Sequence, residues 1–106
     1  MSDSFRRFEI LLPRRFNDGQ PVPDDLVAQT LLELEQQFGA VSCETQVIQG
    51  VWSQEERLFR DDLIRVFVDA PDVPESRQFF LDFKDQIKTR FQQLEIWMTT
   101  YPIEVL

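Results

Sequence analysis

Histidine is absent from this 106-residue chain, and cysteine occurs once, at Cys43. The first absence removes the side chain that most often serves as general base, proton shuttle or metal ligand near neutral pH. The second excludes an intramolecular disulfide, and with it the secreted disulfide scaffold. One thiol and no imidazole cannot build a zinc centre, so neither a tightly held transition metal nor a cofactor is expected. Glycine is scarce too, at three residues. The loop Asn17-Asp18-Gly19 therefore reads as a turn, not as a ligand cradle. Long apolar runs are also missing: within MSDSFRRFEILLPRRF the pure apolar core is only Ile10 to Leu12, too short for a signal-peptide core or a membrane span. The expectation is a cytoplasmic, bacterial-type protein with no membrane partner.

Positive charge is the minority. Eleven Lys and Arg stand against nineteen Asp and Glu, a formal net charge of -8. The excess is even along the chain: residues 1 to 53 hold eight acids and four bases, residues 54 to 106 eleven and seven. Such a surface repels phosphate backbones and argues against nucleic acid as a partner. Arg6, Arg7, Arg14 and Arg15, set against Asp3 and Glu9, make one small basic spot, read here as solvated strand flanks.

What is present is a globular composition with ten phenylalanines. A chain of this length suits one domain, residues 1–106, burying about two-thirds of its unfolded surface. FRRFEILL, residues 5 to 12, alternates with the period of a half-buried strand, and Pro13 ends it. Pro23 suits the first position of a helix whose dipole Asp24 and Asp25 complement, with Val27, Leu31, Leu34 and Phe38 as its apolar face and Gly39 as its stop. From Val41 the period returns to two, with Val41, Cys43, Thr45 and Val47 on the apolar side of a strand reaching about Trp52. Ser53-Gln54-Glu55-Glu56 is a polar hairpin tip. A third strand follows from about Arg57 to Asp69, apolar on both faces between Leu63 and Val68 as a central strand is. On this reading Val51 and Trp52 lie across from Leu58 and Phe59. After the turn Ala70 to Pro74, with Asp72 or Val73 as cap, a second helix presents Phe80, Phe83, Ile87, Phe91 and Leu94. LEIWMTTY, residues 94 to 101, is the last strand, which Pro102 disrupts or marks as an edge.

The order is β-α-β-β-α-β. This is the α+β, ferredoxin-like sandwich, a four-stranded antiparallel sheet with two helices on one face.

Catalytic constellations are hard to compose from these residues. Asp61 and Asp62 are adjacent on a strand and point to opposite faces, so they cannot share a substrate or metal. Glu55 and Glu56 sit at an exposed tip. Cys43, on the apolar side, reads as a small core residue with nothing nearby to lower its thiol pKa. The aromatics say more. With Phe8, Ile10, Ile64, Val66, Ile96 and Met98 facing the helices, Leu11, Phe67 and Trp97 face the other way, where one chain supplies no third layer. Trp52 and Phe59 on the hairpin arm add to this surface, unless residues 102 to 106 fold back over the face.

FEILLP, NDGQPVP, FGAVSCETQVIQGVW, IRVFVD and the terminal IEVL together resemble a group of small uncharacterised bacterial proteins of similar length. The resemblance implies a compact α+β domain and carries over no catalytic site. Three functions compete. The first is a non-catalytic domain that forms a homodimer or larger assembly through its open sheet face or arm. The second is a small-molecule binder or enzyme of the dimeric α+β barrel type, with Arg65, Glu95, Trp97, Thr99 and Tyr101 inside the barrel. The third is an RNA-binding sheet, disfavoured because LIRVFVD lacks the glycine-aromatic pattern of RNA-recognition modules and the charge is wrong.

Overall fold

Alternation in residues 5 to 12 produces strand β1 (Phe5–Pro13), in which Phe8, Ile10 and Leu12 are buried and Arg7, Glu9 and Leu11 turn the other way. The computed structural model describes residues 4–44 and 46–106. Asp3 and Thr45, which figured in the charge balance and in the second strand, lie outside them. Helix α1 (Asp24–Phe38) follows, with Pro23 at its N-cap, one position earlier than the sequence suggested. Gly39 ends the helix in the left-handed region at φ 86°, and its N–H donates to the Glu35 carbonyl at 2.7 Å. That conformation costs glycine little and other residues more.

Next come β2 (Ser42–Cys43), β3 (Ile48–Gln54) and β4 (Arg57–Pro71), then α2 (Pro74–Arg90) and β5 (Met98–Ile103). The strands run β2-β4-β1-β5, with β3 continuing beside β4, and every pairing is antiparallel. Both helices lie on one face, where Leu34, Phe80, Phe83, Ile87 and Phe91 close over Phe8, Ile10, Leu12, Val66, Val68 and Ala70. Phe8 stacks on Phe80 with centroids 4.0 Å apart. The ferredoxin-like arrangement is thus present, with β1 and β4 central.

The strand expected from Val41 to Trp52 is divided. Cys43 pairs with Val66 and Ile48 with Leu63, so the chain between Cys43 and Ile48 is two residues longer than the Ile64-Arg65 step it stands opposite. This is a bulge of two extra residues. Cys43 is exposed on the two-residue strand and is not a core residue; partial burial nonetheless pushes its thiol pKa up. Leu94 is 91% exposed and does not belong to the second helix's apolar face. The helix stops at Phe91, and Gln92, at φ 55°, turns the chain away before Leu94 is reached. The last strand accordingly starts at Met98 and runs through Pro102, which lies on the sheet's edge. Val105 and Leu106 are exposed and do not cover the sheet.

β4 outruns its neighbour. β1 ends opposite Leu63, while β4 begins at Arg57, so residues 57–62 and β3 form a two-stranded arm. The molecule measures 50 × 30 × 25 Å, with a radius of gyration of 14.7 Å, above the ~13 Å of a compact chain this size.

Candidate functional site

Strand register puts three cross-strand rows on the face away from the helices. Arg7 lies between Asp69 and Tyr101, and Glu9 between Phe67 and Thr99. Leu11 lies opposite Arg65 on one side, while on the other its N–H donates to the Trp97 carbonyl at 3.0 Å. Five of the residues expected on this surface, Leu11, Arg65, Phe67, Trp97 and Thr99, are therefore brought together. Trp97 is 66% exposed, whereas Leu11 and Phe67 are half-buried.

Phe67 is half-buried because two arginines cover it. The Arg7 guanidinium lies 4.5 Å and that of Arg65 5.4 Å from its ring centroid, a cation–π arrangement. Both arginines are held by carboxylates. Arg7 donates to both Asp69 oxygens, at 2.7 and 3.0 Å. Arg65 donates to Glu9 at 3.3 Å and to Glu44. Glu44 is delivered by the bulge, and its own N–H donates to the Arg65 carbonyl at 2.9 Å. Tyr101 completes the network by donating its hydroxyl to Glu9 at 2.7 Å.

Two groups of the network, Arg7 and Tyr101, hold their protons more firmly than usual. The bond to Asp69 raises the Arg7 pKa further, and the bond to Glu9 raises that of Tyr101. Both groups stay protonated at neutral pH. Glu95, grouped above with a barrel interior, sits elsewhere: it pairs with Lys84 of α2 at 2.9 Å, which lowers its carboxyl pKa. Sequence reasoning missed Arg7, Glu9, Glu44 and Asp69 as a set. Their alternation was visible, but only the register shows that they meet.

The arm carries the other two expected residues. Trp52 stacks on Phe59, and its indole N–H donates to Asp61 Oδ2 at 2.8 Å. Of the residues expected across from each other on the arm, Trp52 and Phe59 are direct partners, while Val51 lies opposite Arg60 and Leu58 opposite Ser53. The closing turn sets this register, since only Glu55 and Glu56, both at positive φ, separate the strands. Leu58 is 76% exposed.

Two shallow depressions, of about 310 and 270 Å³, lie away from these residues, beside the N-terminal end of α2. Neither depression is lined by a residue of the Arg7–Phe67–Tyr101 network. Among the described residues no group of three or more Cys, Asp or Glu is placed to hold a metal ion, and no helix is long and apolar enough to cross a membrane.

No protein-family model matches the sequence, and no curated protein matches it. Solved structures do match its fold. A phage SAM lyase in complex with S-methyl-5'-thioadenosine superposes with a TM-score of 0.67 at 10% identity, over 99% of this chain and 92% of that one. The divalent cation tolerance protein of Thermus thermophilus gives 0.65 at 12% identity, over 96% and 86%. Its counterpart from Ehrlichia chaffeensis gives 0.65 at 6% identity, over 100% and 87%. At such identities the likeness is one of fold alone.

Proposed function

We propose that this chain is a non-catalytic domain that works by self-association, with the open sheet face and the hairpin arm as its contact surface. The arm is the observation that carries this reading. A two-stranded hairpin is marginally stable in water by itself, and this one extends beyond the third strand and bears Val51, Trp52 and Leu58 exposed. Fully burying an apolar side chain of this size contributes about 1.5 to 3 kcal/mol, less the entropic cost of association. A second copy offers the same surface in return. Sedimentation equilibrium at micromolar concentration tests this. A dimer or larger species, weakened by Trp52→Ala or Trp97→Ala, is expected; a monomer unaffected by either substitution overturns it.

One observation favours a second reading, a small-molecule binder of the dimeric α+β barrel type. Arg7, Glu9, Arg65 and Tyr101 form a polar ring about Phe67 on the face that such a barrel would enclose. The phage lyase of similar fold holds S-methyl-5'-thioadenosine, which makes that nucleoside the first ligand to titrate. Calorimetric binding abolished by Arg65→Ala supports the reading, and no heat at millimolar ligand removes it.

A further inference from the structure

Strand β3 reads IQGVWSQ, with neither charge nor proline in its seven residues. Among the described residues it pairs with β4 on one side and with nothing on the other. Exposed edges are normally blunted by charge, by proline or by covering segments. The far edge of this sheet is blunted in that way, since β5 contains Pro102. The β3 edge is not.

The groups it offers follow from the hairpin. A two-residue turn makes Gln54 and Arg57 the closing hydrogen-bonded pair. Alternation then directs the backbone N–H and C=O of Trp52, Gly50 and Ile48 toward β4, and those of Gln49, Val51 and Ser53 outward. An incoming antiparallel strand must meet those three residues. One two-fold register does so with the chain's own sequence. Val51 faces Val51 of the second copy, and Gln49 faces its Ser53, giving about six inter-chain backbone hydrogen bonds. Gly50 and Trp52 of the second copy then form a non-hydrogen-bonded pair, in which side chains approach most closely. Gly50 has a reason within the chain as well, since a Cβ there would lie 3.1 Å from Leu63 Cδ1. The strand carries no charge, so pairing it with itself sets no like charges directly opposite one another in a chain of net charge -8.

We propose that two copies join β3 to β3 about a two-fold axis through Val51, making one sheet continuous across both arms. This rests on the self-association proposed above and names its contact. An isologous edge contact closes at two copies, and the Pro102 edge offers no comparable site for growth.

Charge placed at the predicted register tests the pairing by sedimentation equilibrium. Gln49→Lys combined with Ser53→Lys sets lysine against lysine twice, and dissociation should become roughly tenfold easier or more. Gln49→Lys combined with Ser53→Glu sets opposite charges together and should keep the wild-type affinity. Val51→Pro removes an outward N–H that β4 does not use, and should give monomers with the fold's circular dichroism retained. If all three variants associate like wild type while Trp97→Ala weakens assembly, the β3 contact is wrong and self-association stands. If the two charge variants weaken assembly equally, the register is wrong. If the wild-type protein is monomeric, both proposals fall.

Discussion

The indole of Trp52 lies against the ring of Phe59, centroids 4.4 Å apart and planes 16° from parallel. Among the described residues neither ring belongs to the core or to the side chains packed against it, so the pair holds the arm and not the domain. Offset aromatic pairs contribute about 0.5 to 1.5 kcal/mol beyond their burial. A double-mutant cycle on Trp52→Ala and Phe59→Ala should return a coupling in that range. It should be read from amide exchange in residues 48–62, with the global unfolding midpoint nearly unmoved. An equal loss in global stability would mean that the arm and the core unfold together.

The arm's turn stores strain. Glu55 and Glu56 sit at φ 52° and 64°, where a side chain costs roughly 1 to 2 kcal/mol per residue. Asparagine and glycine are the residues such a turn prefers. Glu55→Asn with Glu56→Gly should slow amide exchange across the arm by about tenfold, from roughly 1.4 kcal/mol gained. Faster exchange would show that the two glutamates have local partners.

Tyr101 is the sole tyrosine of the chain, so its ionisation can be followed directly by ultraviolet absorbance. Its pKa is raised above the ordinary value of 10.0, chiefly by the hydrogen bond to Glu9. The protonated form is the one the fold favours. The associated stability is fully present below the unfolded pKa and is lost as pH rises through the folded one. The tyrosinate midpoint should therefore lie above 10 and fall toward it in Glu9→Gln. An unshifted midpoint in the wild-type protein would remove the Tyr101–Glu9 bond from the network.

Arg65 joins the carboxylates of Glu9 and Glu44, and its side chain is about a third exposed. A hydrogen bond to a charged group contributes about 1.5 to 3 kcal/mol when buried, and solvent screening reduces that here. Arg65→Met should cost about 1 to 2 kcal/mol in chemical denaturation, because Glu9 loses its counter-charge. Arg65→Lys should recover only part of it, since an ammonium cannot span both carboxylates as the planar fork does. Full recovery by lysine would show that charge alone matters there.

How much of this was legible beforehand depends on the distance over which each signal acts. The elements were local matters. The period of two in FRRFEILL, Pro74 at the start of α2 and Gly39 at the end of α1 each act within a few residues. The six-element order, and from it the sandwich, followed from them. The break between Cys43 and Ile48 was hidden because two extra residues leave the alternation in phase, so Cys43 and Val47 read as core-facing. Leu94 was misplaced because the helix ends through a left-handed Gln92, which no glycine or proline announces. Register was the decision only the tertiary structure could make. Arg7, Phe67 and Tyr101 are separated by tens of residues, and what brings their side chains together is backbone pairing across three strands.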